Sequence, residues 1–220
     1  MIPNYNFDNN TIDIFKKIKD CGGEWKNFTI PLKVDNALIG YLRPITKDIL
    51  IKSKSNSLLI SKLSKWRENN KRWFDSFNVT DEGTSRWLKK SVIDQSDRLL
   101  FIVQGIEKID IGHMGLFRGE ADNFIRGEHS LNKGIMTISL KKMLYWSFKR
   151  LKIKRLYLRV FSDNKKAIRF YENCGFRPLG EIKLKKVIKG NSIRYEQVKS
   201  IKNPDRFFTL MCCQNENDRS

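Results

Sequence analysis

The chain has 220 residues, 40% of them hydrophobic, which suits one globular domain with a sizeable core. Its 43 Lys and Arg outnumber 24 Asp and Glu, for a formal net charge of +19, a balance that favours polyanions, anionic cofactors or acidic surfaces. The basic residues are scattered, however, and no zinc-finger, homeodomain or aromatic RNA-binding motif accompanies them, which argues against a nucleic-acid-binding module.

The four cysteines, Cys21, Cys174, Cys212 and Cys213, form no CxxC pair, so neither a disulfide framework nor a structural metal site is expected. The first residues lack the basic-then-apolar pattern of a signal peptide, and no uncharged apolar run approaches the roughly 20 residues of a membrane span. The sequence reads as cytoplasmic.

Residues 1–36 are polar and mixed, an N-terminal extension interrupted at Cys21-Gly22-Gly23. From residue 37 the pattern sharpens. Residues 38–44 predict a short strand ending at Pro44. Leu59, Leu63, Trp66, Trp73 and Phe74 recur at helical spacing, predicting a helix over 57–75. Thr84 is a candidate cap for a second helix carrying Trp87, Leu88 and Val92. Strands are predicted at 99–104 and 109–117, joined by a hairpin, and at 121–128.

Met136, Leu140, Met143, Leu144 and Phe148 mark one apolar face of a long helix between Gly134 and Leu151. Leu156, Leu158 and Val160 alternate with Tyr157, Arg159 and Phe161, as in a strand. The strand–helix–strand connection from 121 to 161 predicts a parallel crossover and hence a mixed sheet. Phe176 onward returns to strand, broken by a turn at Gly190-Asn191, and a last strand covers 207–212. A polar tail, 214–220, follows a domain spanning 37–213.

One window carries chemistry. After the strand ending near Phe161, Asn164 is suited to cap a short helix that bears Lys166, Ala167, Ile168 and Tyr171, and Gly175 stands where a left-handed helix stop belongs. Tyr171 lies seven residues, about two turns, beyond Asn164 on the same face. This Asn, basic residue, Ala-Ile, Tyr, Gly-Phe176 pattern resembles the late strand–helix motif of the GNAT superfamily of acyl-CoA N-acyltransferases.

The resemblance implies an α/β fold with a mixed, twisted sheet of about seven strands flanked by helices. It also implies acetyl-CoA as acyl donor, and direct attack of an amine on the thioester between strands 121–128 and 156–161. In that reading a backbone amide of the earlier strand holds the carbonyl oxygen. Tyr171 protonates the leaving thiolate, and Asn164 and Lys166 contact the cofactor. The family's pyrophosphate turn aligns with Asn132, Lys133, Gly134, Ile135 and Met136, of which only Gly134 keeps the pattern; Met136 stands where a small residue is usual. Glu128 and His113 are the candidate bases, ahead of Asp122 and His129.

Trp66, Arg67, Arg72 and Trp73 form the candidate acceptor-binding set, able to stack on a ring and grip phosphate. Together with Ile111 to Gly115, they resemble GNAT enzymes that acetylate amino-sugar nucleotides for surface polysaccharides. That makes a nucleotide-linked amino sugar the expected partner. A protein or peptide N-terminal acetyltransferase and a non-enzymatic basic module are the alternatives, and a homo-oligomer is compatible with either enzyme.

Overall fold

The computed structural model describes residues 6–75, 77–129 and 133–215. Helix α1 (Asn9–Asp20) comes first, capped by Asp8, whose carboxylate accepts from the Thr11 amide at 2.8 Å. A 3-10 turn (Gly22–Phe28) leads to β1 (Ile30–Val34) and β2 (Ala37–Pro44). Asp35 and Asn36 join them with φ of 46° and 66°, the left-handed pair that a two-residue hairpin turn requires and that Asp and Asn tolerate. The polar opening stretch thus contributes a helix and an edge strand.

Helix α2 (Lys54–Asn69) is capped by Ser53 and α3 (Asp81–Trp87) by Thr80, whose hydroxyl accepts from the Gly83 amide at 3.0 Å. Thr84, the expected cap, is instead buried and receives a hydrogen bond from Ser64 Oγ at 2.8 Å. The true cap sits one turn earlier because Asp81 and Glu82 then fall in the first turn, facing the positive helix end. α2 stops at 69 rather than 75, where the Asn70 side chain donates back to the Trp66 carbonyl at 2.8 Å; a separate 3-10 turn (Lys71–Trp73) follows. α3 widens into a π turn (Leu88–Ile93).

The remaining elements are β3 (Arg98–Gly105), β4 (Asp110–Phe117), β5 (Glu120–Arg126), α4 (Ile135–Arg150), β6 (Arg155–Phe161), α5 (Lys165–Asn173), β7 (Arg177–Lys189), β8 (Ser192–Gln197) and β9 (Arg206–Gln214). They make one mixed sheet of nine strands, two more than expected, in the order β1-β2-β3-β4-β5-β6-β9-β7-β8. Every neighbouring pair is antiparallel except β5–β6.

The period-2 alternation of the strands sorts the core into two faces. Leu99, Phe101, Val103, Ile111, Met114 and Leu116 pack with α1 and α4, while Leu100, Ile102 and Ile125 pack with α2 and α3. Beneath the β7–β8 hairpin a third cluster gathers Phe161, Ile182 and Leu184, with Trp73 against it. Among the described residues no helix is long and apolar enough to cross a membrane.

One buried cation ties α1 to the rest. Lys19 Nζ donates to the carbonyls of Val92, Ile93 and Gln95 at 3.4, 3.1 and 2.5 Å, at the end of the π turn where carbonyls lack helical partners. Burial pushes the ammonium's pKa below the ordinary lysine value, a desolvation cost that the three carbonyls offset. Replacing Lys19 with Met leaves them unpaired and is expected to cost about 2–4 kcal/mol, read as a fall in melting temperature of roughly 4–16 °C by circular dichroism.

Candidate active site

The two parallel strands barely touch. β5 and β6 share a single register pair, Glu120 with Tyr157, and the Tyr157 amide donates to the Gly119 carbonyl at 3.1 Å. Beyond that point they diverge. A bulge drives the divergence: the β4–β5 register slips between His113 and Gly115, and Asn123 takes φ of 55°. Asn is one of the few residues that visit this region at low cost, and a bulge bends its strand and increases the local twist. The gap opens into a cavity of about 880 Å³ lined from both sides by residues 120–126 and 158–161.

On the face carrying α4 and α5, the gap meets Asn164, Lys166, Ala167, Phe170 and Tyr171. Asn164 Oδ1 accepts from the Ala167 amide at 3.2 Å, which starts α5, and Gly175, φ 101°, ends it. Tyr171 is buried between Phe124 and Phe176, with ring centroids 5.4 and 6.1 Å away. Burial first, then the nearby carboxylate of Asp122, raises its pKa above the ordinary phenol value.

Gly134 N-caps α4 with φ of 83° and lines the cavity, so the first amides of that helix face it. Met136 also lines the cavity, but its sulfur lies in a hollow over Gly112, where an added Cβ would come within 3.2 Å of it and 2.3 Å of the Ile125 carbonyl. The thioether is thereby accommodated by β4. Ile135 is a core residue, Lys133 is exposed in the turn before the helix, and Asn132 lies outside the described residues.

On the opposite face stand His113, Arg67, Trp73, Phe74 and Trp87. His113 is 3% exposed, and its Nδ1 is buried with no hydrogen-bond partner. Burial lowers its pKa to about 4, so the ring is neutral at physiological pH. Trp66 stacks on it, centroids 6.3 Å apart, and lies directly over Gly127, whose added Cβ would come 2.0 Å from the indole. At 2% exposure Trp66 is a wall behind the histidine and does not line the cavity. Glu128 lies beside that wall, accepting from the indole Nε1 at 3.4 Å.

Arg67 sits 3.8 Å from the Phe74 ring centre and 5.5 Å from that of Phe77. Burial lowers its pKa to about 10, opposed by Asp75 and Asp122. Arg72 is turned outward onto the Trp73 ring, and its carbonyl accepts from Arg206. Arg206 in turn lies 3.4 Å from the Phe161 ring centre, 5.6 Å from that of Trp73, and donates three hydrogen bonds to the Asp163 carboxylate. This joins the 3-10 turn to β9 beside Trp73 and Phe161, which line the cavity.

Three carboxylates that the sequence did not single out as acceptor contacts also line the cavity: Asp75, Glu120 and Asp122. Arg159 pairs with Glu120 at 2.9 Å and Arg98 with Asp122 at 3.0 Å. Their positions depend on the splay, which leaves no local sequence mark. Among the described residues, no group of three His, Cys, Asp or Glu could hold a metal ion.

The bulge generates a direct test. Asn123→Val is expected to lose about 1–2 kcal/mol more stability than Asn123→Gly in urea denaturation, because a branched side chain resists positive φ. Both variants lose the bond from Asn123 Nδ2 to Asp122, so their difference isolates the backbone term.

Residues 58–177, more than half the chain, match the family described as an acetyltransferase (GNAT) domain. A spermidine N(1)-acetyltransferase of Vibrio cholerae is 29% identical over 134 residues, 58% of this chain and 75% of that protein. Its Escherichia coli K12 counterpart is 31% identical over 132 residues, 56% and 69% respectively. Among solved structures, the V. cholerae spermidine N-acetyltransferase in complex with CoA and spermine superposes with a TM-score of 0.55 at 20% identity, covering 74% of this chain and 92% of that one. At that identity the likeness speaks to the fold. These relatives correct the expected acceptor: they are named for spermidine, not for an amino-sugar nucleotide, and the link to polysaccharide biosynthesis falls with it.

Proposed function

Since the chain belongs to the GNAT acetyltransferase family and is an acyl-CoA-dependent N-acetyltransferase, we propose that its acceptor is a polyamine of the spermidine type. The observation that carries this reading is the set of carboxylates in the cavity, Asp75, Glu120 and Asp122, within a chain of net charge +19. A basic surface repels a polycation at long range, but that repulsion is screened beyond about 8–10 Å at physiological salt. Inside the cavity Glu120 and Asp122 are paired with Arg159 and Arg98, whereas Asp75 has no ion-pair partner among the described residues; its carboxylate and the faces of Trp73, Phe74 and Trp87 act instead, and both attract ammonium.

Acetyl-CoA supplies the thioester. The amides at the start of α4, with Gly134 giving them open access, are suited to its phosphates, and Lys166 and Asn164 stand along its path between the strands. A backbone N–H of β5, freed by the splay, holds the carbonyl oxygen as charge develops. Tyr171 gives its proton to the departing sulfur. Its raised pKa keeps the phenol protonated through neutral pH, the form that a general acid needs.

Tyr171→Phe is expected to lower kcat by roughly one to three orders of magnitude, with the melting-temperature rise on adding acetyl-CoA preserved. The sign of the pKa shift gives a second outcome. A phenol raised above its ordinary value of 10.0 stays protonated as pH climbs toward it, so the kcat profile should show no falling limb from Tyr171 below about pH 10.

A specific observation favours one further reading. Among the described residues no carboxylate lies within ion-pair distance of the half-buried Arg67 guanidinium, which suits an amine that also bears a carboxylate. Thiol release measured across spermidine, spermine, putrescine, simple monoamines and amino acids separates the two. The polyamine reading expects spermidine kcat/KM at least tenfold above the monoamines and reduced by Asp75→Asn. Faster turnover of amino acids would replace it.

A further inference from the structure

Along the chain the basic residues look scattered, but the fold leaves one group of them together and unopposed. Residues 135–158 hold seven Lys and Arg and no Asp or Glu. None of the seven has an ion pair among the described residues. α1, by contrast, mixes Asp13 and Asp20 with its lysines.

α4 turns its apolar side, Met136, Leu140, Met143 and Leu144, to the core. Positions four apart then stack along its outer side. One row reads Lys141, Tyr145, Lys149 and the next Lys142, Trp146, Arg150. Each row is a cation, a ring and a cation, with about 6 Å of rise between steps. Tyr145 is 62% exposed, and Trp146 is half-buried in a T-shaped contact with Phe101 at 5.8 Å. Beyond the helix, Lys152, Lys154 and Arg155 continue the strip, all of them exposed. The helix dipole accounts for cations in the last turn, Lys149 and Arg150. It accounts neither for Lys141 and Lys142, about two turns earlier, nor for the three that follow the helix.

We infer that this face of α4 binds a single-stranded polynucleotide, its phosphates against the Lys and Arg and a base stacked on Tyr145. A ring set between cations suits such a strand. Phosphate charge is met on either side, while an unpaired base of any identity finds a flat π surface. A lipid surface would meet the same charge, but binding there also needs apolar side chains that enter the headgroup boundary, and those of α4 face the core. None of these residues lines the cavity. The contact is therefore separate from acetyl transfer and stands whether or not the acceptor is a polyamine.

Fluorescence anisotropy on the full chain, with a labelled single-stranded RNA of roughly 20 nucleotides, longer than one such site needs, tests the assignment. About four phosphate contacts would weaken binding about 50-fold between 50 and 200 mM salt. Lys149→Gln, Arg150→Gln, Lys152→Gln and Lys154→Gln together should weaken it at least tenfold and flatten that salt dependence. Tyr145→Ala should weaken it about fivefold or more with the salt dependence unchanged. Both variants should keep the wild-type melting temperature and acetyl-CoA-dependent thiol release. Removing the same charge from the exposed β7–β8 hairpin, by Lys185→Gln, Lys186→Gln, Lys189→Gln and Arg194→Gln, should leave affinity within threefold. An equal loss from the hairpin variant overturns the assignment, because it marks attraction to net charge alone. So does a Tyr145→Ala affinity within twofold of wild type, or binding to phosphatidylserine vesicles with none to the RNA.

Discussion

A single missing ladder governs this protein. Two parallel strands lie side by side yet share one register pair, and the backbone groups that would have bonded across them face a cavity instead. Unpaired buried amides and carbonyls are costly, so such a gap persists only where the surroundings over-determine it. Here they do. Asn123 in a left-handed conformation bends β5 away from β6, β4 follows the bend through its register slip, and the ion pair of Arg159 with Glu120 closes the narrow end. The same amides that lack a strand partner are the natural donors for a developing oxyanion.

From that gap follows a division of labour between the two faces. The α4–α5 face offers helix-start amides, a lysine and a phenol, the chemistry of a phosphate-bearing thioester. The α2–α3 face offers aromatic rings, carboxylates, an arginine and a buried imidazole, the chemistry of an amine. The flanking helices are held by different means. α4 presents a broad apolar face to β1 and β2, whereas α1 adds Phe15 and Ile18 plus one ammonium plugged into the end of the π turn.

The local parts of this design were legible in the residues, and the non-local ones were not. Asn164, Gly175 and the spacing to Tyr171 announce a capped, glycine-stopped helix because each acts within one or two turns of itself. The long helix and the β3–β5 meander were likewise visible from periodicity. By contrast, α1 was masked by polar composition, since Phe15 and Ile18 are its only fully buried apolar residues. The insertion of β9 between β6 and β7 depends on long-range pairing that no short pattern encodes. Trp66 looked like a ligand platform because aromatic residues near a helix end do serve that way. Only the bare Cα of Gly127, far off in sequence, shows why its ring is spent on packing. The acceptor misled for a related reason: tryptophans and arginines suggested a nucleotide, but the carboxylates that balance them are gathered only by the fold.

The guanidinium of Arg206, packed on rings and gripped by Asp163, rivets the turn after α2 to the start of β9. Trp73 and Phe161, two of the rings it packs on, also line the cavity. That stretch of wall is therefore fastened by residues 134 positions apart in the chain, and it holds its shape only once both ends of the sequence have come together.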